Sequence, residues 1–146
     1  MAAGRPSDYS VETTLSLCEA IATGRSLRSV CLQDDMPAIS SVYRWLNAHA
    51  EFREQYARAK EDSADALADD ILHIADTPMV GIKTETSPSG VKTVEGDMIE
   101  HRRLQVDARK WIASKLKPRK YGDKIELGGP DGGAIALQIS SVDSRL

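Results

Sequence analysis

Apolar residues recur at helical spacing in several short stretches of this chain, divided by polar or glycine-rich breaks. Val11, Leu15, Cys18, Ile21 and Ala22 make one stripe of a first helix. Gly24 follows as its C-terminal cap, because glycine accepts the left-handed backbone that ends helices. Ser26 can cap a second short helix carrying Leu27, Val30 and Cys31, which Asp34–Asp35–Met36–Pro37 breaks. A third helix over about 39–47 buries Val42, Trp45 and Leu46. The long helix expected over about 51–76 sends Phe52 and Tyr56 back onto the first three. Its stripe Leu67, Ile71 and Ile74 suits another helix. The last long helix, over about 98–117, is capped by Asp97, stopped by Pro118, and striped by Leu104, Ala108, Trp111, Ile112 and Leu116.

Two segments break the helical period. Residues 77–98 alternate Ile82, Thr84 and Thr86, then Val91 and Thr93, around Ser87–Pro88–Ser89–Gly90, which fits an exposed hairpin or a loop. Residues 125–127 and 134–139 are short strand candidates flanking the glycine-rich 128–133. Two strands alone are marginally stable in water. This tail is therefore either disordered or lends strands to a sheet or barrel shared between subunits. The fold class expected is mainly α. It comprises a flexible arm (1–10), a helix-turn-helix unit (11–56), antiparallel central helices (57–120) and a C-terminal β segment (121–146).

Only 5% of residues are aromatic, so pieces this small need partner chains to complete their burial. The net charge of −3 hides a polarised layout. Residues 51–76 hold eight acidic and three basic side chains, a net of −5, whereas residues 99–124 hold nine basic and three acidic, a net of +6. Pairing of these segments in the wall of an assembly is favoured over a DNA-touching role for the basic one, with the apolar stripes supplying most of the stability. Candidate assembly residues are Leu67, Ile71, Ile74, Leu104, Trp111, Ile112 and Leu116.

The solvent face of the third helix offers Ser40, Ser41, Tyr43, Arg44 and Asn47, all hydrogen-bonding and none acidic, as entry into a DNA groove requires. Arg28 and Arg5 are candidate phosphate contacts, and Gly4–Arg5–Pro6 is either a minor-groove arm or an ordinary terminus. Asp69 and His73 share a helix face, but such a charge run reads as solvated surface, and no metal or cofactor is expected. Cys18 and Cys31 suit packing in a reducing compartment better than a disulfide. No apolar run is long enough for a membrane helix. No phosphate loop or catalytic constellation stands out, so no enzyme is expected.

Three segments together resemble the small terminase subunit of tailed double-stranded DNA bacteriophages. They are Ala3–Gly4–Arg5–Pro6–Ser7–Asp8–Tyr9; Val42–Tyr43–Arg44–Trp45–Leu46 through His49, Phe52, Arg53 and Tyr56; and Arg109–Lys110–Trp111 through Pro118–Arg119–Lys120–Tyr121–Gly122–Asp123–Lys124. The resemblance covers most of the chain in the same order, with residues 77–98 longer than the connection expected of relatives. It implies a helix-turn-helix domain, a helical hairpin assembling an octameric or nonameric ring, and C-terminal strands in an intersubunit β-barrel. It further implies marking of viral DNA for packaging in the host cell cytoplasm and control of the large terminase subunit, which carries the ATPase and nuclease. The alternatives are a dimeric helix-turn-helix transcriptional regulator and a structural ring without DNA contact.

Overall fold

A computed structural model describes residues 5, 8–125 and 127–134 of the chain. Ser10 opens α1 (Val11–Ala22) by accepting the Thr13 N–H at 3.1 Å, which satisfies one of the orphan donors at a helix start. Gly24, at φ +91°, follows the helix, and a Cβ there would lie 3.4 Å from Leu67. Glycine thus serves both the left-handed turn and the close approach of a neighbouring helix. Ser26 caps the single turn of α2 (Leu27–Val30) through the Ser29 N–H at 3.1 Å. Residues 31–38 then lead to α3 (Ile39–Ala48), a longer connection than the tight turn expected.

The inward face of α1 is Thr14, Leu17, Cys18 and Ile21, whereas Val11 and Leu15, expected inside, are 59% and 45% exposed. Thr14 tolerates its buried place because its hydroxyl donates to the Val11 carbonyl at 3.0 Å. With Val30, Val42, Trp45 and Phe52 these residues form one core. Tyr9, assigned to the arm by its sequence position, packs on that core. Its ring stacks on His49 at 3.6 Å and meets Trp45 edge-on at 5.7 Å.

The helix α4 (Ala50–Asp76) leaves this core and pairs with α5 (Ile99–Leu116). Two ion pairs and a hydrogen bond fix the direction: Asp65 meets Lys117 at 2.8 Å, Asp70 meets Arg109 at 3.2 Å, and the Arg102 guanidinium donates to the Ile74 carbonyl at 2.8 Å. Descending numbers on α4 match ascending ones on α5, so the pair is antiparallel, as expected from the charges. Between the helices lies a hairpin of β1 (Val80–Ser87) and β2 (Gly90–Asp97), in register from Val80↔Asp97 to Ser87↔Gly90. Of the two readings of 77–98, the hairpin is therefore the observed one.

Asp97 does not cap α5. It pairs with Arg102 and accepts the Met79 N–H at 2.9 Å, closing the hairpin base, while Met98 occupies the cap position without a side-chain bond. Pro118 ends α5 by starting the short α6 (Pro118–Tyr121), since proline fits a first helical turn, where the missing N–H costs nothing. A 3-10 turn spans Pro130–Gly132. Ile125 and Leu127 are 82% and 80% exposed and pair in no strand among the described residues, and the strand expected over 134–139 lies outside them except for Ala134.

Asp65 accepts from Lys117 and Lys120 at 2.8 Å each and from the Tyr121 hydroxyl at 2.6 Å. The Lys117 bond, followed by those from Lys120 and Tyr121, holds the Asp65 carboxyl well below the usual carboxylate range, and Asp65 raises both ammonium groups in turn. Folding lowers the Asp65 pKa, so its contribution is complete above the unfolded value of about 3.9 and is lost as pH falls through the folded value. Folding raises the two lysines, so theirs is complete below about 10.4 and is lost as pH rises through their folded values.

Two outcomes follow. Asp65→Asn speeds amide exchange over residues 118–122 at neutral pH while the N-terminal core stays protected; wild-type protein reaches that state only in strong acid. Phe52→Ala, at a side chain 1% exposed, lowers unfolding free energy in a urea titration by about 3–5 kcal/mol.

Candidate nucleic-acid interface and assembly faces

Val42 and Trp45 point α3 into the core, and this fixes what the helix shows outside. Ser40, Tyr43, Arg44 and Asn47 are exposed along one face at i, i+3, i+4 and i+7, with Ser41 half-buried beside them. The Arg53 guanidinium donates to the Leu46 carbonyl at 2.6 Å, closing the C-terminal end of α3. Arg53 was not marked by sequence as supporting this helix. Its signal is an arginine one turn into the next helix, at a position able to reach back.

Arg5 and Arg28 come together in a shallow cleft with Cys31, Leu32 and Ile39, beside the start of α3. The Arg5 guanidinium donates to the Cys31 carbonyl at 3.0 Å, which ties the leading segment to α2. The exposed acids Asp34 and Asp35 lie nearby in sequence, on the connection 31–38. The cleft thus offers two guanidinium groups and a helix start to an anion, with local acids limiting its reach. Burial pushes the Cys31 thiol up against an opposing pull from Arg5, and burial pushes Cys18 up as well, so neither is a reactive thiolate at neutral pH. Burial, ahead of charge effects from Tyr43 and the two cysteines, also raises the Tyr56 phenol.

Of the stripe expected on α5, only Leu116 lies where the helix meets α4, and Ala108 is exposed with the rest. The inner seam is built from Arg102, Gln105, Val106, Arg109, Ala113 and Leu116, whereas Leu104 and Trp111 are 66% and 64% exposed on the opposite side. Ile112 is 37% exposed at the edge between them. On α4, Ile71 and Ile74 are half-buried, and Leu67 is covered within its own chain against Gly24. An outward leucine, Leu72, was missed by sequence because its neighbours Asp69 and Asp76 mark that face as polar. Among the described residues no group of three or more His, Cys, Asp or Glu is placed to hold a metal ion, and no helix is long and apolar enough to cross a membrane.

The family described as "Bacteriophage Sf6, terminase small subunit-like" matches residues 9–128. The chain is similar to three solved structures of the terminase small subunit gp1 of the bacterial virus Sf6, each with a different single substitution. Each is 38% identical to this chain, covers 95% of it and 98% of its own length, and superposes with a TM-score of 0.68, 0.67 or 0.67. No curated protein matches the chain. A match that runs from Tyr9, through the exposed face of α3 and the α4–α5 pair, to residue 128 places this chain in the bacteriophage Sf6-type family of terminase small subunits.

Proposed function

We propose that this terminase small subunit recognises double-stranded viral DNA for packaging and regulates the large terminase subunit. It does so as a ring of identical chains, in the host cell cytoplasm, without catalytic activity or a cofactor of its own. The observation that carries the DNA role is the outward face of α3, free of acidic side chains and set beside the Arg5–Arg28 cleft. Arg44 and Asn47 reach base edges, Ser40, Ser41 and Tyr43 assist, and Arg28 and Arg5 hold phosphates.

The first fifty residues carry four arginines against five acids, so one copy neutralises few phosphates and binds weakly. A ring compensates, because each docked unit raises the effective concentration of its neighbours along the same duplex. The exposed Leu104 and Trp111 support assembly through the central helices. Ile125 and Leu127, uncovered within one chain, support a C-terminal β-barrel shared between copies, and the large subunit docks on that region. A two-fold regulator has less support, since the family match concerns packaging proteins.

Light scattering on a sizing column is expected to return a mass many times 15.9 kDa; a dimer supports the regulator instead. Arg44→Ala leaves that mass unchanged and weakens duplex binding by about 1–3 kcal/mol in low-salt anisotropy titrations. Arg28→Ala flattens the salt dependence by about one unit of slope. Unaltered affinity in assembled Arg44→Ala removes α3 from the reading.

A further inference from the structure

Four residues after Arg5, Tyr9 is fastened to a platform that two helices hold still. His49 is the one residue between α3 and α4, with extended backbone at φ −121° and ψ 106°. Its N–H donates to the Trp45 carbonyl at 2.9 Å, and its own carbonyl accepts the Arg53 N–H at 3.1 Å. The Tyr9 ring stacks on the His49 imidazole at 3.6 Å, 13° from parallel, and meets Trp45 and Phe52 edge-on at 5.7 and 6.3 Å. Among the described residues these contacts belong to the ring, and the phenol hydroxyl makes no hydrogen bond.

Arg5 sits at the opposite end of α3. Its guanidinium donates to the Cys31 carbonyl at 3.0 Å and lines the cleft with Arg28 and with Ile39, the first residue of α3. The ten residues of α3 make a rod of about 15 Å, whereas four steps of chain reach at most about 13–14 Å. A fixed Tyr9 therefore confines Arg5 to the surroundings of α3. A guanidinium carries five N–H donors, so the bond to Cys31 leaves others for phosphate oxygens.

We propose that Tyr9 is a positioning residue for DNA binding: its stack on His49 holds Arg5 in the cleft beside Arg28, ready for the phosphate backbone alongside α3. This rests on the DNA-binding reading and adds how one of its cations is made competent. With the stack broken, Arg5 moves with a segment that pivots at Ser10, where α1 begins. Each phosphate contact from that segment then has to order it first, an entropic cost that an anchored Arg5 has already met on folding. Tyr9 touches no DNA in this arrangement and acts only through Arg5.

The test is a salt series of anisotropy titrations of the full chain with a DNA duplex. Arg5→Ala flattens the salt dependence by about one unit of slope, and Tyr9→Ala flattens it likewise although it removes no charge. Tyr9→Phe keeps the ring and retains the wild-type slope. The double variant Arg5→Ala with Tyr9→Ala binds no more weakly than Arg5→Ala alone, because both changes remove the same contact. A Tyr9 that merely supports the core lowers the folded fraction, leaves the slope alone and adds its loss to that of Arg5→Ala. Circular dichroism at the titration temperature reports folding. If Tyr9→Ala has lost helix content, His49→Ser decides: it removes the platform ring, keeps both backbone bonds, suits the start of α4, and flattens the slope as Arg5→Ala does. Overturning results are a folded Tyr9→Ala or His49→Ser with the wild-type slope, a double variant whose losses multiply, or a Tyr9→Phe that behaves as Tyr9→Ala. A wild type that binds no duplex overturns the DNA-binding reading itself. An Arg5→Ala protein indistinguishable from a wild type that does bind removes Arg5 from that reading, and this role for Tyr9 with it.

Discussion

The fold depends on one uninterrupted helix that must satisfy two kinds of neighbour. Over its first turns α4 presents Phe52 and Ala59 to an apolar core. Farther along, Ala64 and Leu67 are buried, while Asp70 meets Arg109 of α5 and Asp65 meets Lys117 and Lys120 just past its end. Small side chains at Ala59, Ser63, Ala64 and, across the seam, Ala113 let backbones approach closely. The two halves are held differently. Removal of apolar surface from water stabilises the first, whereas the α4–α5 seam couples modest apolar contact to ion pairs that are worth little singly but fix direction and register.

Helix boundaries and the three-helix core were largely legible, because caps leave local chemical marks. Ser10, Ser26 and Gly24 act through neighbours a few residues away. Faces were harder to read. On α1 the helical period accommodates Val11 and Leu15 as well as Thr14 and Leu17, and the choice depends on a threonine whose hydroxyl bonds within the helix. On α5 a search for an apolar stripe finds Leu104 and Trp111. The seam with α4, however, is lined by Arg102, Gln105 and Arg109; the stems of the two arginines pack while their guanidinium groups find carbonyl or carboxylate partners, and the Gln105 Oε1 is buried with no hydrogen-bond partner among the described residues. With only Val106, Ala113 and Leu116 as its apolar members, such a seam has a weaker hydrophobic signature than the outward stripe. Asp97 was misread for a related reason: its carboxylate serves partners distant in sequence, the Met79 N–H and Arg102, instead of the helix start beside it.

The candidate DNA face was legible because it needed only the orientation of α3, and Val42 and Trp45 settle that from sequence. The cleft joining Arg5 to Arg28 was not, since it depends on where the chain before α1 runs. The Tyr9–His49 stack and the Arg5 bond to the Cys31 carbonyl set that path. Family membership, by contrast, rested on strings such as Pro118–Arg119–Lys120–Tyr121, and part of their physical role is now visible: Lys120 and Tyr121 fasten α6 to Asp65.

From residue 50 to residue 76 the chain contains neither glycine nor proline, so α4 has no built-in bend. At 1.5 Å per residue it is a strut of about 40 Å, with the α3 unit mounted on one end and the β-hairpin following the other. A tilt of about 5° imposed where α3 sits displaces the far end of such a strut by about 3–4 Å, a sizeable fraction of one 5.4 Å helical pitch. A load on the head is thus delivered to the helical pair as a lever movement instead of being absorbed by a flexible joint.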